Sequence, residues 1–142
     1  MVEDVQQHCH TRDDLGLGVF YFSFSDQRKQ SYEDLLRSLV VQLAWKEPGL
    51  SMLQQAYDRP NPSVPGRDEL ERVLLSSRKS YSQVFLMLDA VDESPEDAEV
   101  RQTVLEGVEQ LTQEISNVKI LATSRPLRDV RESMEMLKAD QI

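Results

Sequence analysis

Val84-Phe85-Leu86-Met87-Leu88-Asp89-Ala90-Val91-Asp92-Glu93 opens with a run of five apolar residues and ends among three carboxylates. Consecutive apolar residues with aromatic and β-branched members suit a strand buried on both faces of a parallel sheet. Open α/β sheets bind ligands outside the carboxyl ends of their strands, so this strand would deliver Asp89, Asp92 and Glu93 to such an edge. Carboxylates at that edge meet the needs of Mg²⁺, a hard cation that takes one or two carboxylates together with waters and substrate phosphates.

Outward from this stretch, the chain alternates strand and helix signals. Gly18–Ser25 is aromatic and β-branched and predicts a first strand. Ser31 with Asp34 predicts an Asp variant of the capping box, opening a helix with Leu35, Leu36, Leu39, Val40 and Leu43 on one stripe. Pro48-Gly49 is read as its end, with a shorter helical piece from Leu50 to Tyr57. Residues 59–66 hold three prolines and a glycine, which predicts an irregular connector. Leu70, Val73 and Leu74, with Ser77, mark the next helix, before the acidic strand at 84–89. Val100, Val104, Val108, Leu111 and Ile115 then mark an amphipathic helix. Val118–Thr123 is read as a third strand, and Leu127, Val130, Met134 and Leu137 as a last helix. Strands separated by helical crossovers predict an α/β fold with a parallel sheet of about three strands and helices on its faces.

Composition narrows the function classes. A chain of 142 residues is one domain's worth, and no internal repeat marks a second. The net charge of −9 and scattered basic residues argue against nucleic acid as a partner, because that affinity rests on a basic patch. A single cysteine, Cys9, excludes an intramolecular disulfide framework, and no stretch reaches the ~20 apolar residues of a membrane span. The expectation is a soluble, cytoplasmic protein without a membrane partner.

At the sheet edge, Asp89 is a candidate metal ligand through water, against the plainer reading of an Asp that opens a turn. Asp92 and Glu93 are candidates for orienting an attacking water, against simple charge capping of the following helix at Ser94-Pro95. Thr123-Ser124-Arg125-Pro126 ends the third strand on the same edge, where Arg125 could sense a terminal phosphate and Pro126 suits a first helical turn. His8-Cys9-His10 has no second ligand pair and is not read as a metal site. Trp45 is expected to cap the apolar face of its helix rather than to anchor a partner.

Leu86–Glu93 and Lys119–Pro126 together resemble the Walker B and sensor 1 motifs of NACHT-type P-loop signalling NTPases. The resemblance is closest to the fungal, nephrocystin 3-like N-terminal group, whose relatives are often joined to ankyrin or WD repeats. Gly18–Ser25 is similar to that group's second strand and Ser31–Trp45 to the helix after it, so the resemblance spans roughly 18–135 within a single partial domain, 1–142. It implies an ATP- or GTP-dependent signalling switch with Mg²⁺, in which Asp89, Thr123, Ser124 and Arg125 contact the nucleotide and Asp92 and Glu93 are catalytic. The sequence departs from the group in two places. It contains no G-x-x-x-x-G-K-[ST] loop, whose backbone N–H groups would cradle phosphates. Ala90 also stands where vigorous ATPases of this class place a glutamate. Weak or absent nucleotide binding, slow switching and no independent catalysis are therefore expected.

A different class of function is an interaction fragment without enzymatic activity. In the resembled fold a further strand lies beside the one ending at Thr123, and its loss would leave 118–123 as an apolar edge. Such an edge would pair with a second copy or a full-length relative. A metal-dependent phosphatase or nuclease using Asp89, Asp92 and Glu93 ranks last, since nothing supplies its phosphate-binding partner.

Overall fold

A computed structural model describes residues 2–60, 64–94, 98–114, 116–125 and 128–136. Three parallel strands form its sheet: β1 (Leu15–Tyr21), β2 (Gln83–Asp89) and β3 (Val118–Ala122), in the order β1-β2-β3. The helices are α1 (Val2–His10), α2 (Tyr32–Leu43), α3 (Gly49–Tyr57), α4 (Arg67–Ser77), α5 (Ala98–Glu114) and α6 (Arg128–Met136). The apolar run therefore becomes the central strand, with Leu15 to Tyr21 in register with Gln83 to Asp89, and Val84 to Leu88 with Val118 to Ala122. None of the described helices is long and apolar enough to cross a membrane.

The predicted α2 forms for the predicted reason. Ser31 accepts from the Asp34 N–H and Asp34 accepts from the Ser31 N–H, which satisfies two backbone donors that a helix start leaves open. Its stripe of Leu35, Leu36, Leu39, Val40 and Leu43 is buried against Phe20, Val84, Leu86 and Leu88 of the sheet. Val73 of α4 and Val104 and Val108 of α5 complete the same core. Each such side chain contributes about 1.5–3 kcal/mol by leaving water.

Several boundaries differ from expectation. β1 begins at Leu15 and ends at Tyr21, so Phe22–Ser25 leave the sheet, although Phe22 stays buried with its ring edge-on to Phe20 at 4.9 Å. Its two glycines are there for approach: a Cβ on Gly18 would lie 2.6 Å from Leu39 Cδ2. α2 stops at Leu43, before Pro48-Gly49, and that pair instead opens α3. Trp45 does not cap the apolar face; it lies beyond the helix, 60% exposed, with the Lys46 ammonium 4.8 Å from its ring centroid. Asn61–Ser63, Pro95, Ile115, Pro126, Leu127 and Leu137 lie outside the described residues.

Gly107 sets how closely α5 meets α2. A Cβ there would stand 2.3 Å from the buried Tyr32 ring, which is clamped by its hydroxyl on Glu71. Gly107→Ala should therefore destabilise the fold by about 1–3 kcal/mol despite alanine's better helix propensity, because the ring cannot yield without moving its neighbours. Urea unfolding would measure this; unchanged or raised stability would show that α5 shifts freely.

Candidate functional site

The carboxyl ends of β2 and β3 are laced together by one threonine. The Thr123 N–H donates to Leu88 O at 2.9 Å, and its carbonyl accepts from the Val91 N–H at 3.0 Å. Thr123 Oγ1 accepts from the Ala90 N–H at 3.0 Å and donates to Asp89 Oδ1. Asp89 is thereby held at the tip of the central strand, half-buried, next to Tyr21 of β1. Just beyond it Ala90 adopts a left-handed conformation, φ 56° and ψ 48°, and the chain turns into the 3₁₀ turn Val91–Glu93. A non-glycine residue rarely adopts this conformation, at about 1–2 kcal/mol. The hydrogen bonds to Thr123 hold it there.

That turn buries Asp92, which is 4% exposed. Arg125 engages it twice: the backbone N–H reaches Oδ1 at 3.1 Å and Nε reaches Oδ2 at 2.5 Å. Burial pushes the Asp92 carboxyl up, but the Arg125 hydrogen bonds and charge outweigh it and hold the group below its usual range. An efficient general base is poised near the working pH with its lone pairs open to a water. Asp92 instead carries hydrogen bonds on both oxygens, an arrangement suited to positioning Arg125. The Arg125 side chain remains 68% exposed at the mouth of the edge. Glu93 is half-buried in the same turn, and Ser124 is exposed, its hydroxyl donating to Arg125 O at 2.8 Å.

All six sequence-predicted residues thus converge on one edge, with Asp89 joined to Thr123 and Asp92 to Arg125. One contributor was missed. Arg101 of α5 is buried beneath the turn, and its Nη2 donates to Asp92 O at 3.0 Å and to Ser94 O at 2.9 Å. Its Nε also reaches Ser94 Oγ, whose hydroxyl donates to Val91 O at 2.7 Å. An arginine in an amphipathic helix otherwise reads as a solvated surface residue, so no local signal announces this role.

As a cation site the edge is sparse. Among the described residues no group of three His, Cys, Asp or Glu could hold a metal, and Asp92 is committed to Arg125. Asp89 is the carboxylate that fits Mg²⁺, which suffices only where phosphates and waters supply the remaining oxygens.

A family model described as "Nephrocystin 3, N-terminal" matches residues 1–125, which is most of the 142-residue chain. The chain belongs to the nephrocystin 3 N-terminal family. No curated protein and no solved structure matches it. For this nephrocystin 3 N-terminal domain the match takes in the whole laced edge through Arg125, and α6 follows it.

Two outcomes follow from the laced edge. Arg101→Ala leaves two buried carbonyls without their donor and should cost about 2–4 kcal/mol in urea unfolding, with Arg101→Lys recovering part. A loss under 0.5 kcal/mol would mean that the turn stands without Arg101. Asp92 stabilises the fold fully above its unfolded value near pH 4, and that contribution is lost as pH falls through its lowered folded value. The stability gap between wild type and Asp92→Asn should therefore be widest near neutrality and shrink below about pH 4. A pH-independent gap would show that the Asp92 charge is not involved.

Proposed function

We propose that the chain is the core of a NACHT-type nucleotide-dependent signalling switch, in which the laced edge contacts a Mg²⁺–nucleoside triphosphate. The observation that carries this reading is the pairing, at the carboxyl end of a parallel sheet, of an accessible carboxylate with a clamped, outward arginine. Asp89, steadied by Thr123, would hold Mg²⁺ through water, and Arg125, steadied by Asp92, would face the phosphates. Mg²⁺ supplies charge neutralisation between phosphate oxygens when bound. Ser124 sits beside Arg125 at the same mouth, and Glu93 is the carboxylate left for orienting a water. Asp92 serves the site by fixing where Arg125 stands.

The nucleotide is ATP or GTP, and the output is a change of state rather than rapid turnover. Two features support that weighting. Residue 90, directly after the metal-facing aspartate, is an alanine and carries no base. No glycine-rich G-x-x-x-x-G-K-[ST] loop occurs among these 142 residues, so backbone donors for the β- and γ-phosphates come from elsewhere or not at all. The chain by itself therefore binds nucleotide weakly.

Amide NMR spectra with increasing Mg²⁺–ATP or Mg²⁺–GTP test this directly. Shifts should concentrate at Asp89–Asp92 and Thr123–Arg125, titrate with a Kd of about 1 mM or weaker, near −4 kcal/mol, and vanish in Asp89→Ala. Unperturbed amides at roughly ten times that concentration, or shifts indifferent to Asp89→Ala, would sink the reading. Micromolar binding would show that the chain contains a phosphate cradle of another kind.

A further inference from the structure

The strand register brings one more residue to the laced edge. Side chains alternate across a sheet, and in β1 Gly16, Gly18 and Phe20 lie toward α2, where Leu39 and Leu43 crowd the glycines. Leu15, Leu17, Val19 and Tyr21 therefore project from the other face. In β2 the same alternation sends Val84, Leu86 and Leu88 into the core, and Phe85, Met87 and Asp89 to the face that Tyr21 shares. Tyr21 is the in-register partner of Asp89, and the Phe22 N–H, donating to Asp89 O at 3.0 Å, holds the two strand tips side by side.

At the carboxyl end of this face each strand presents an oxygen. The row reads Tyr21, Asp89 and Thr123, a phenol, a carboxylate and a hydroxyl, one step beyond the apolar row of Val19, Met87 and Leu121. Neighbouring strands stand about 4.8 Å apart, so Asp89 has one oxygen-bearing neighbour on each side. Its bond to Thr123 occupies the β3 side. On the β1 side Tyr21 is 48% exposed, whereas the buried Tyr32 and Tyr81 commit their hydroxyls to Glu71 and to Leu43 O. A tyrosine is longer than an aspartate, so from the adjacent strand its hydroxyl can reach the level of the water shell around a cation on Asp89. In sequence Tyr21 is one aromatic among Phe20, Phe22 and Phe24, and the register with β2 is what sets it apart.

We propose that Tyr21 is a further positioning residue of this edge, its hydroxyl hydrogen-bonding a water of the Mg²⁺ that Asp89 holds, on the side away from Thr123. This rests on the nucleotide reading above. Mg²⁺ gives up its waters reluctantly and takes few carboxylates, so a site built on Asp89 needs neutral groups that orient the remaining shell. A phenol both donates and accepts, and it orients a water without adding charge beside the carboxylate. Arg125 stands on the β3 side of Asp89 and Tyr21 on the β1 side, so the two bracket the ligand across the central strand.

Two substitutions at position 21 test this placement. Tyr21→Phe removes the hydroxyl and keeps the ring, so its circular dichroism and urea midpoint should match wild type. In amide NMR titrations Mg²⁺–ATP should bind Tyr21→Phe about three- to tenfold more weakly than wild type, the effect of one lost hydrogen bond. With EDTA in place of Mg²⁺, ATP should affect the two chains alike, whereas a merely structural role would weaken both titrations. Tyr21→Glu sets a second carboxylate beside Asp89 and should bind Mn²⁺ alone, read from the broadening of nearby amides, about tenfold more tightly than wild type. Adding Asp89→Ala should abolish that gain. Wild-type shifts with Mg²⁺–ATP that Tyr21→Phe reproduces at the same Kd would overturn this proposal and leave the nucleotide reading standing, while no wild-type shifts at all would overturn both. A Tyr21→Glu chain without the Mn²⁺ gain would also overturn it, because the two side chains would then not face a common point.

Discussion

A carboxylate taken out of water must be given a cation and hydrogen bonds, and that requirement at Asp92 ties together the turn after β2 and the segment after β3. Buried charges left alone cost several kcal/mol, and removing one partner of such a pair leaves that penalty uncompensated. The chain meets it with Arg125, drawn from the segment after β3, using both its backbone N–H and its guanidinium. The 3₁₀ turn carrying Asp92 is in turn pinned from below by Arg101 of α5. Two elements, the helix that follows the turn and the segment after β3, thus converge on it. The position of Arg125 at the sheet edge becomes a consequence of folding, not of side-chain chance.

The same logic explains why Ala90 can hold a left-handed conformation. The strain is local and modest, about 1–2 kcal/mol, and it is held by two backbone–backbone hydrogen bonds of Thr123 and by the Ala90 N–H donating to the Thr123 hydroxyl. The turn lets Asp89 stay in line with β2 while Asp92 folds inward, so neighbouring carboxylates acquire opposite roles. Asp89 faces the edge and Asp92 faces the interior. Separation of two acids by environment, rather than by residue type, is the general means by which one site assigns different work to like groups.

What the sequence discloses follows the range of each interaction. β2, the Ser31–Asp34 cap and the stripe of α2 are legible because their signals lie within one strand or two helical turns. The convergence of Asp89, Asp92, Thr123 and Arg125 is legible too, since a parallel sheet puts successive strand ends on one edge. The start of β1 is not. Leu15-Gly16-Leu17-Gly18 carries glycines that read as a break, yet the glycine surfaces exist to admit Leu39, Leu43 and Tyr81. That demand comes from α2 and from residues more than 60 positions away. Arg101 and the inward role of Asp92 are hidden for the same reason, because a tertiary partner decides them.

The two edges of the sheet, β1 and β3, differ in what covers them, and that bears on solubility. An exposed parallel strand with free backbone groups invites indiscriminate stacking, which proteins suppress by charge, twist or cover. At β1 the cover is Gln42, a neutral amide that satisfies a donor and an acceptor together. At β3 it is Lys119, a charge that leaves the backbone open. A chain carrying a net charge of −9 adds long-range repulsion that favours few, specific contacts over many loose ones. One edge of the sheet is thus covered by a hydrogen-bonded amide and the other carries a charge, two different means of discouraging strand addition.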